Sequence, residues 1–506
     1  MTAPSPAHVP VIVGVGEISD RLADGHEGLE PRDLIAAAAR RADADAGGGW
    51  LSSIDTVAVV NILSWPYADI CASLAAALGI APARAEELPA GGNVALKAIH
   101  DIANRIAGGA EETALVCGAE AFRSVALARK AGRTPGWTAP DSGHWIKTMV
   151  DVVGPDMLRY GFDGAPSVYA LYENAMRAAR GLSHAEAQAQ TGAMWAAMSQ
   201  VAAGVEEAWI RTPRAAAEII TPGPDNRPIA FPYTKLMVAN DAVNQGSAVI
   251  VTSLARARAA GVEEGRIAYV WGGAAARDRR DFRTRDRYDH SPSIEAVIAA
   301  TLAQSGLAAS AFDAVEFYSC FPCVPRLAQG ASGIDPAIVP TVAGGLTYFG
   351  GPGNDYMTHA VINMVRQLRA GKRLGLLLGN GDLVTKHHAM ILGASPPPAG
   401  TLPVAYDVQA DAEARRGPVP EVIERHEGPA LLETYTVKYR RDGTPDYGLA
   451  VCRTPQGARF VARVPGSDER TIAALVGDGG GWVEPIGQEG VAIAHGAEDF
   501  CEWRLG

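Results

Sequence analysis

The stretch GPGNDYMTHAVINMVRQLRAG, Gly351 to Gly371, decides the fold, because the chain carries a second version of it: GGNVALKAIHDIANRIAGG, Gly91 to Gly109. Each copy begins with a glycine-rich turn and continues with apolar residues at helical spacing. Each is followed by a short apolar run that is typical of a strand. The two copies predict two equivalent helices, at Val94 to Ala107 and at Tyr356 to Ala370.

The elements before these helices are also duplicated. Two strand-like runs resemble each other, VPVIVGVGEI from Val9 and RIAYVWGG from Arg266, and each is followed by a helical stretch that opens with a proline. Proline suits the first turn of a helix. The copies keep a nearly constant separation in sequence, which indicates two copies of one β-α-β-α-β unit. Alternating strands and helices predict the α/β class, with a mostly parallel, helix-covered sheet in each copy.

The composition divides the rest of the chain. A helix-rich insertion, about residues 122–232, lies inside the first half, which spans residues 1–265. The second half is predicted at 266–395 and a Pro- and Gly-rich linker at 396–428. Residues 429–506 alternate with period two between Asp-Gly and Gln-Gly turns, which predicts a small antiparallel β domain that forms a barrel.

Bulk properties exclude several classes of partner. The 506 residues carry a net charge of -11, which argues against a nucleic-acid partner. No apolar run approaches the roughly 18 residues of a membrane helix, and the N-terminus lacks the pattern of a secretion signal. We therefore expect a cytoplasmic protein with no membrane partner.

The stretch EFYSCFPCVP contains two of the six cysteines, Cys320 and Cys323. A structural zinc site needs four soft ligands, usually as two close pairs, and the chain has only this one pair, so we expect no metal. The spacing alone leaves a redox pair, half a metal site or one catalytic cysteine open.

The duplicated unit, the insertion after the first half and the glycine-rich helix starts resemble the thiolase superfamily. The segment PDNRPIAFPYTKLMVANDAVNQGSA, Pro224 to Ala248, is similar to sterol-carrier-protein-type thiolases. GGLTYFGGPGNDYMTHA, Gly344 to Ala360, together with the extra C-terminal domain, is similar to bacterial thiolase-like proteins of type 1. That extra domain also resembles the small OB-type partners of thiolase-like aldolases. The resemblance implies a five-layer α-β-α-β-α fold with the two duplicated helices innermost.

The resemblance also implies chemistry on coenzyme A thioesters, but the catalytic motifs are altered. Gly92 or a close neighbour stands where the family has its nucleophilic cysteine. The family's GHP motif reads GGP, Gly350 to Pro352, and lacks its histidine. The motif HDCF or NEAF matches YSCF, so Cys320 coincides with the acid/base cysteine and Tyr318 replaces the leading His or Asn.

We predict four catalytic residues from these matches and from nearby polar positions: Cys320, Tyr318, His359 and His387. Backbone or side-chain groups for oxyanion and substrate binding are predicted at Asn93, Gly351, Gly379 and Gly381. Arg227 and Lys235 are predicted to contact coenzyme A phosphates.

Three functions remain open. The first is acetyl-CoA acetyltransferase-like acyl transfer, or carbon–carbon cleavage of a β-keto thioester or β-keto acid, centred on Cys320 and serving lipid or aromatic side-chain metabolism. The second is retro-aldol cleavage of a β-hydroxyacyl-CoA side chain, which needs no covalent acyl-enzyme and gives Tyr318 an acid/base role if its pKa is lowered. The third is non-catalytic acyl-CoA binding. The protein is expected to be a monomer or a homodimer.

Overall fold

The computed structural model describes residues 5–22, 27–141, 143, 148–398, 401–477, 482–495 and 500–506. Residues 1–4 of the predicted first half and residues 399 and 400 of the predicted linker lie outside this set. The strands in the described ranges are β1 (Pro10–Ser19), β2 (Thr56–Val59), β3 (Arg84–Glu87), β4 (Thr113–Ala121), β5 (Pro228–Ala230), β6 (Tyr233–Thr234), β7 (Asn244–Ser253), β8 (Ala268–Arg277), β9 (Ala314–Phe317), β10 (Leu374–Gly381), β11 (Lys386–Gly393), β12 (Gly428–Tyr439), β13 (Pro445–Arg453), β14 (Arg459–Val464), β15 (Glu489–His495) and β16 (Phe500–Leu505).

The α-helices in the same ranges are α1 (Pro31–Asp45), α2 (Ile70–Leu78), α3 (Val94–Ala107), α4 (Phe122–Lys130), α5 (Met149–Val153), α6 (Pro155–Tyr160), α7 (Ala165–Ala179), α8 (His184–Ala203), α9 (Ala216–Ile220), α10 (Leu254–Ala259), α11 (Pro292–Ser305), α12 (Cys323–Ser332), α13 (Gly345–Tyr348), α14 (Tyr356–Arg369), α15 (Gln409–Arg415) and α16 (Glu469–Val476).

The duplicated halves share one strand order. Hydrogen bonds connect nine strands in the order β3-β2-β4-β7-β1-β8-β11-β10-β9. The halves meet at β1 and β8, which pair antiparallel through Val11 with Tyr269 and Ile12 with Ala268. The order on either side of this junction repeats, with β7 and β11 in equivalent places. The predicted duplication is therefore visible in the sheet.

The prediction of a mostly parallel sheet is wrong for the centre of each half. β7 runs antiparallel to both of its neighbours, β1 and β4. β11 runs antiparallel to β8 and β10. A tight turn at residues 382–385 joins β10 to β11, and a connection this short can only join antiparallel strands. The long insertion likewise returns the chain to the end of the sheet that it left.

Two helices occupy the middle of the molecule. Both α3 and α14 contact strands of both halves, whereas α1 packs on β1, β4 and β7, and α11 packs on β8 and β11. Nearly every side chain of α14 from Tyr356 to Val365 is buried, as expected for a helix enclosed on all sides. The predicted α-β-α-β-α layering and its inner helices are confirmed.

The C-terminal region forms a small closed barrel. Its five strands are hydrogen-bonded in the order β13-β14-β16-β15-β12, and β12 pairs again with β13 to close the ring. β14 and β16 are parallel, so the prediction of a wholly antiparallel domain is wrong at this pair. The hairpin of β5 and β6, which comes from the insertion, extends the same sheet through Ala230 opposite Lys438 on β12.

Candidate functional site

A cavity of about 570 Å³ opens where the insertion meets the starts of the inner helices. Its wall includes Gly92 before α3, Gly351 before α14, and Tyr318 and Cys320 after β9. These residues come from both halves of the chain. The duplicated fold thus brings together four of the positions that the motif comparison singled out.

Tyr318 occupies the space in front of Gly92. A Cβ atom built on Gly92 would lie 2.6 Å from the Tyr318 hydroxyl and 2.5 Å from the Asn380 carbonyl oxygen. Any side chain at position 92 would therefore collide with its neighbours. Burial raises the pKa of the Tyr318 phenol, with a further contribution from Cys320. This shift is opposite to the one that a catalytic base requires, so Tyr318 retains its proton.

Cys320 lies in a small hydrogen-bonded group. Burial raises the pKa of its thiol to about 12, although the polar groups of Tyr169 and Asn380 oppose this effect. The Asn380 amide nitrogen lies 3.9 Å from the Cys320 sulfur and donates to the Tyr169 hydroxyl at 2.9 Å. The thiol is therefore protonated near neutral pH and faces two polar groups.

The sequence analysis did not assign roles to Tyr169 and Asn380. Tyr169 belongs to α7 in the insertion, where neither motif nor periodicity distinguishes it from neighbouring buried aromatics. Its ring stacks on Phe321 with centroids 4.3 Å apart. Asn380 lies between Gly379 and Gly381, two positions predicted as oxyanion or substrate-binding groups, and that placement is the available signal.

The backbone N–H groups near the cavity differ in whether they are free to donate a hydrogen bond to a ligand. The N–H of Gly92 makes no hydrogen bond to another described residue, and it lies at the N-terminus of α3, where the helix dipole favours negative charge. The N–H of Gly351 is already donated to the Asn240 carbonyl at 2.7 Å, so the predicted Gly351 N–H is not available.

Asn93, Gly379 and Gly381 form a second layer behind the cavity. Cβ atoms built on Gly379 and Gly381 would lie 2.9 Å and 2.5 Å from atoms of Asn93. None of the three lines the cavity in the described part of the chain. The Asn93 side-chain oxygen is buried without a partner there. We predicted direct substrate contacts for these residues, but the structure places them behind the wall.

His359 lies away from the cavity, so the structure does not bring it together with Tyr318 and Cys320. Its ring is fully buried on α14, where Nδ1 lies 2.7 Å from Glu17 and Nε2 lies 3.4 Å from Asp355. Burial opposes protonation, but the two carboxylates outweigh it and raise the pKa of His359 to about 9. The ring takes part in an internal ion network because packing seals this face of α14 between the sheets.

His387, the fourth residue predicted as catalytic, is also outside the cavity wall. It lies on β11 with an exposed fraction of 1%. Burial lowers its pKa to about 4, although Asp278 opposes the effect. Alternation along β11 turns its side chain to an interior face that is shared with Arg285.

The two predicted phosphate contacts are not part of the cavity wall in the described residues. Arg227 donates to the Pro228 carbonyl at 3.3 Å, and Lys235 is exposed. Cys323 is buried at the start of α12, where burial raises its pKa well above the ordinary value. The described residues hold no group of three or more metal-ligating side chains, and they include no helix long and apolar enough to cross a membrane.

Comparison with known proteins finds one family model that matches the C-terminal region. Residues 407–489 match the model of the additional C-terminal domain of thiolase-like proteins of type 1. This part of the chain is therefore similar to that additional domain. The match begins inside the segment predicted as a linker. A search of curated proteins finds no match to this chain.

Solved structures agree with this similarity. A monomeric SCP2-thiolase-like protein type 1 from Mycobacterium smegmatis has 29% sequence identity and a TM-score of 0.81, covering 99% of this chain and 100% of that one. Two other structures share the fold. An Ltp2-ChsH2(DUF35) aldolase has 18% identity and a TM-score of 0.56, covering 78% of this chain and 99% of that one. An acetyl-CoA acetyltransferase from Syntrophomonas wolfei has 15% identity and a TM-score of 0.54, with coverages of 77% and 100%.

Proposed function

We propose that this chain is a thiolase-like protein of type 1 that binds an acyl-CoA thioester in the cavity and cleaves a β-hydroxyacyl thioester by a retro-aldol reaction. The observation that carries the proposal is the pair of Gly92 and Tyr318. Thiolase-type acyl transfer needs a nucleophile at the start of α3, and here the Tyr318 hydroxyl takes that space. A retro-aldol cleavage needs no covalent acyl-enzyme. The fold is also shared with a protein that is described as an aldolase.

Groups on the cavity wall can accept and donate each proton that this reaction moves. Two carboxylates are among the described residues that line the cavity, and Asp382 is paired with Lys386 at 3.2 Å, so we assign the base to Asp241. Asp241 accepts the β-hydroxyl proton, and the oxygen electrons form the new carbonyl. The carbon–carbon bond breaks and its electrons form the thioester enolate, whose oxygen the Gly92 N–H binds. Tyr318 donates its proton to the α-carbon and regains one from solvent, and Asp241 releases to solvent the proton that it accepted.

The cavity suits the acyl end of such a substrate. Its wall is largely apolar, and its volume falls within the usual range for small-molecule sites. We keep the prediction that Arg227 and Lys235 contact the phosphates of coenzyme A. These phosphates lie at the end of the molecule that is remote from the acyl group.

The proposal is tested by incubating the protein with a panel of 3-hydroxyacyl-CoA thioesters and measuring the released aldehyde or ketone. Tyr318→Phe should reduce release by about a hundredfold or more, as for loss of an acid catalyst. Tyr269→Phe is the matched control, because that hydroxyl pairs with Glu264 and does not line the cavity. Release that is unchanged in Tyr318→Phe contradicts the assigned role.

The acyl-transfer hypothesis has a separate test. Thiolysis of acetoacetyl-CoA by coenzyme A that is lost in Cys320→Ala and kept in Cys452→Ala would replace the retro-aldol proposal. Cys452 is a suitable control because it is buried in the barrel core.

A second candidate is non-catalytic acyl-CoA binding. It is favoured because no histidine is found among the described residues of the cavity wall, and because burial raises the pKa of both Tyr318 and Cys320. Saturable binding of acyl-CoA without turnover of either substrate class would support it.

We further propose that the protein is a monomer, as the Mycobacterium smegmatis relative is described to be. The edge strand β3, Arg84–Glu87, is fully exposed and carries three charged side chains in four residues. Charged residues on an edge strand disfavour pairing with another copy.

A further inference from the structure

The side-chain amide of Asn380 has a fixed orientation, and Tyr169 fixes it. The Tyr169 hydroxyl lies 2.7 Å from the backbone carbonyl of Asp382. A carbonyl oxygen can only accept, so the phenol proton must be donated to it. The phenol oxygen can then only accept from Asn380, whose Nδ2 lies 2.9 Å away. The NH₂ group of Asn380 therefore faces Tyr169, and the Oδ1 atom points to the other side.

The remaining oxygen of this amide lacks a protein partner. Asn380 lines the cavity and is 1% exposed, and its Oδ1 atom accepts no hydrogen bond within the described residues. A buried acceptor without a donor is costly. A ligand that brings an O–H to this position removes the cost, whereas a ligand with a carbonyl there places two acceptors together.

We propose that Tyr169 is a positioning residue that turns Asn380 Oδ1 toward the substrate, so that the cavity selects a β-hydroxyacyl thioester over a β-keto thioester. The inference rests on the proposed function in taking this cavity as the substrate site. It adds a specificity device for the bound thioester, whose β-hydroxyl donates to Asn380 Oδ1 before its proton passes to Asp241 in the cleavage step.

The structure provides a matched control on the same helix. Tyr172 lies one turn along α7 from Tyr169, and its ring is also fully buried. Its hydroxyl has no hydrogen-bond partner among the described residues, and it does not line the cavity. Tyr169→Phe and Tyr172→Phe remove the same atom from the same helix, and only the first releases Asn380.

The test measures the dissociation constants of 3-hydroxybutyryl-CoA and acetoacetyl-CoA by calorimetry, with turnover monitored in parallel. The unmodified protein should bind the hydroxy compound at least about tenfold more tightly, as expected for satisfying one buried acceptor. This ratio should fall toward one in Tyr169→Phe and stay unchanged in Tyr172→Phe. A ratio near one in the unmodified protein, or a ratio that Tyr169→Phe leaves unchanged, overturns the inference.

A second measurement separates this inference from the proposed function. The rate at which iodoacetamide alkylates Cys320 is followed by peptide mass spectrometry as a function of pH. Tyr169→Phe should slow alkylation several-fold at pH 9, because the Asn380 NH₂ group, which lies 3.9 Å from the Cys320 sulfur, is no longer held in place to stabilise the thiolate. If neither thioester binds, the proposed function fails. A Tyr169→Phe rate equal to that of Tyr172→Phe then overturns the positioning role as well, whereas a slower rate retains it.

Discussion

The two inner helices have equivalent places in the duplicated fold but use their polar residues differently. The start of α3 opens on the cavity, with the Gly92 N–H free of protein acceptors in the described ranges. Asp355 directly precedes α14, and its carboxylate accepts from the Ser247 hydroxyl at 2.8 Å and faces His359. The N-terminus of α3 is available to a ligand, whereas the N-terminus of α14 is occupied by buried charged side chains.

The same contrast holds for the buried histidines of the two helices. His359 on α14 lies between two carboxylates, and Glu17 is also paired with Arg366. His100 on α3 has His388 as its neighbour, with 3.0 Å between their ring nitrogens. Two copies of one helix thus enclose a charged network in one case and a neutral pair in the other. The two helices therefore share the same backbone arrangement, but their buried polar side chains make different contacts.

The largest expected effect is on the charged network. His359→Leu should lower the free energy of unfolding by about 3–5 kcal/mol, because it leaves two buried carboxylates without their shared partner. His100→Leu is the control on the other helix and should cost less, because it removes a neutral ring. Urea unfolding midpoints measure both. Equal losses for the two variants would remove the distinction between the helices.

A smaller effect is expected at the open start of α3. Gly92→Ala should destabilise the protein by about 1–3 kcal/mol, because its Cβ would overlap the Asn380 carbonyl and the Tyr318 hydroxyl. Gly330→Ala on α12 is the control, since a Cβ there meets nothing within 4 Å. It should be neutral or slightly stabilising. Thermal unfolding measures the stability of both variants. A Gly92→Ala protein as stable as the unmodified one would contradict the close packing of Tyr318 against Gly92.

The smallest effect is the pH dependence, which should have opposite signs for the two histidines. The pKa of His359 is raised to about 9, so its stabilisation is complete below the unfolded value of 6.5 and is lost as the pH rises through 9. Burial lowers the pKa of His100 to about 4, so its contribution is present above pH 6.5 and declines as the pH falls toward 4.

Unfolding midpoints of the unmodified protein and of the two leucine variants at pH 5, 7 and 9.5 measure these contributions. The stability difference for His359→Leu should shrink at high pH, and the one for His100→Leu should shrink at low pH. Parallel profiles would contradict the assignment of one charged and one neutral histidine.

Much of the frame could be predicted from local patterns. The apolar spacing and glycine-led starts located α3 and α14, because a helix enclosed between two sheets needs apolar residues on most of its surface. The motif comparison likewise selected Tyr318, Cys320 and Gly351, which line one cavity. The direction of β7 and β11 could not be read in this way, because strand direction depends on where a connection returns the chain.

The sequence by itself determined the duplicated fold, the inner helices and the absence of a cysteine before α3, since each is written in residues close together in the chain. Only the tertiary structure decided that His359 pairs with Glu17, 342 residues away, and that Tyr169 holds Asn380, 211 residues away. The physical reason is that a buried polar group takes its partner from whatever packing brings against it. Local periodicity shows that such a group is enclosed, and the folded arrangement selects its neighbour.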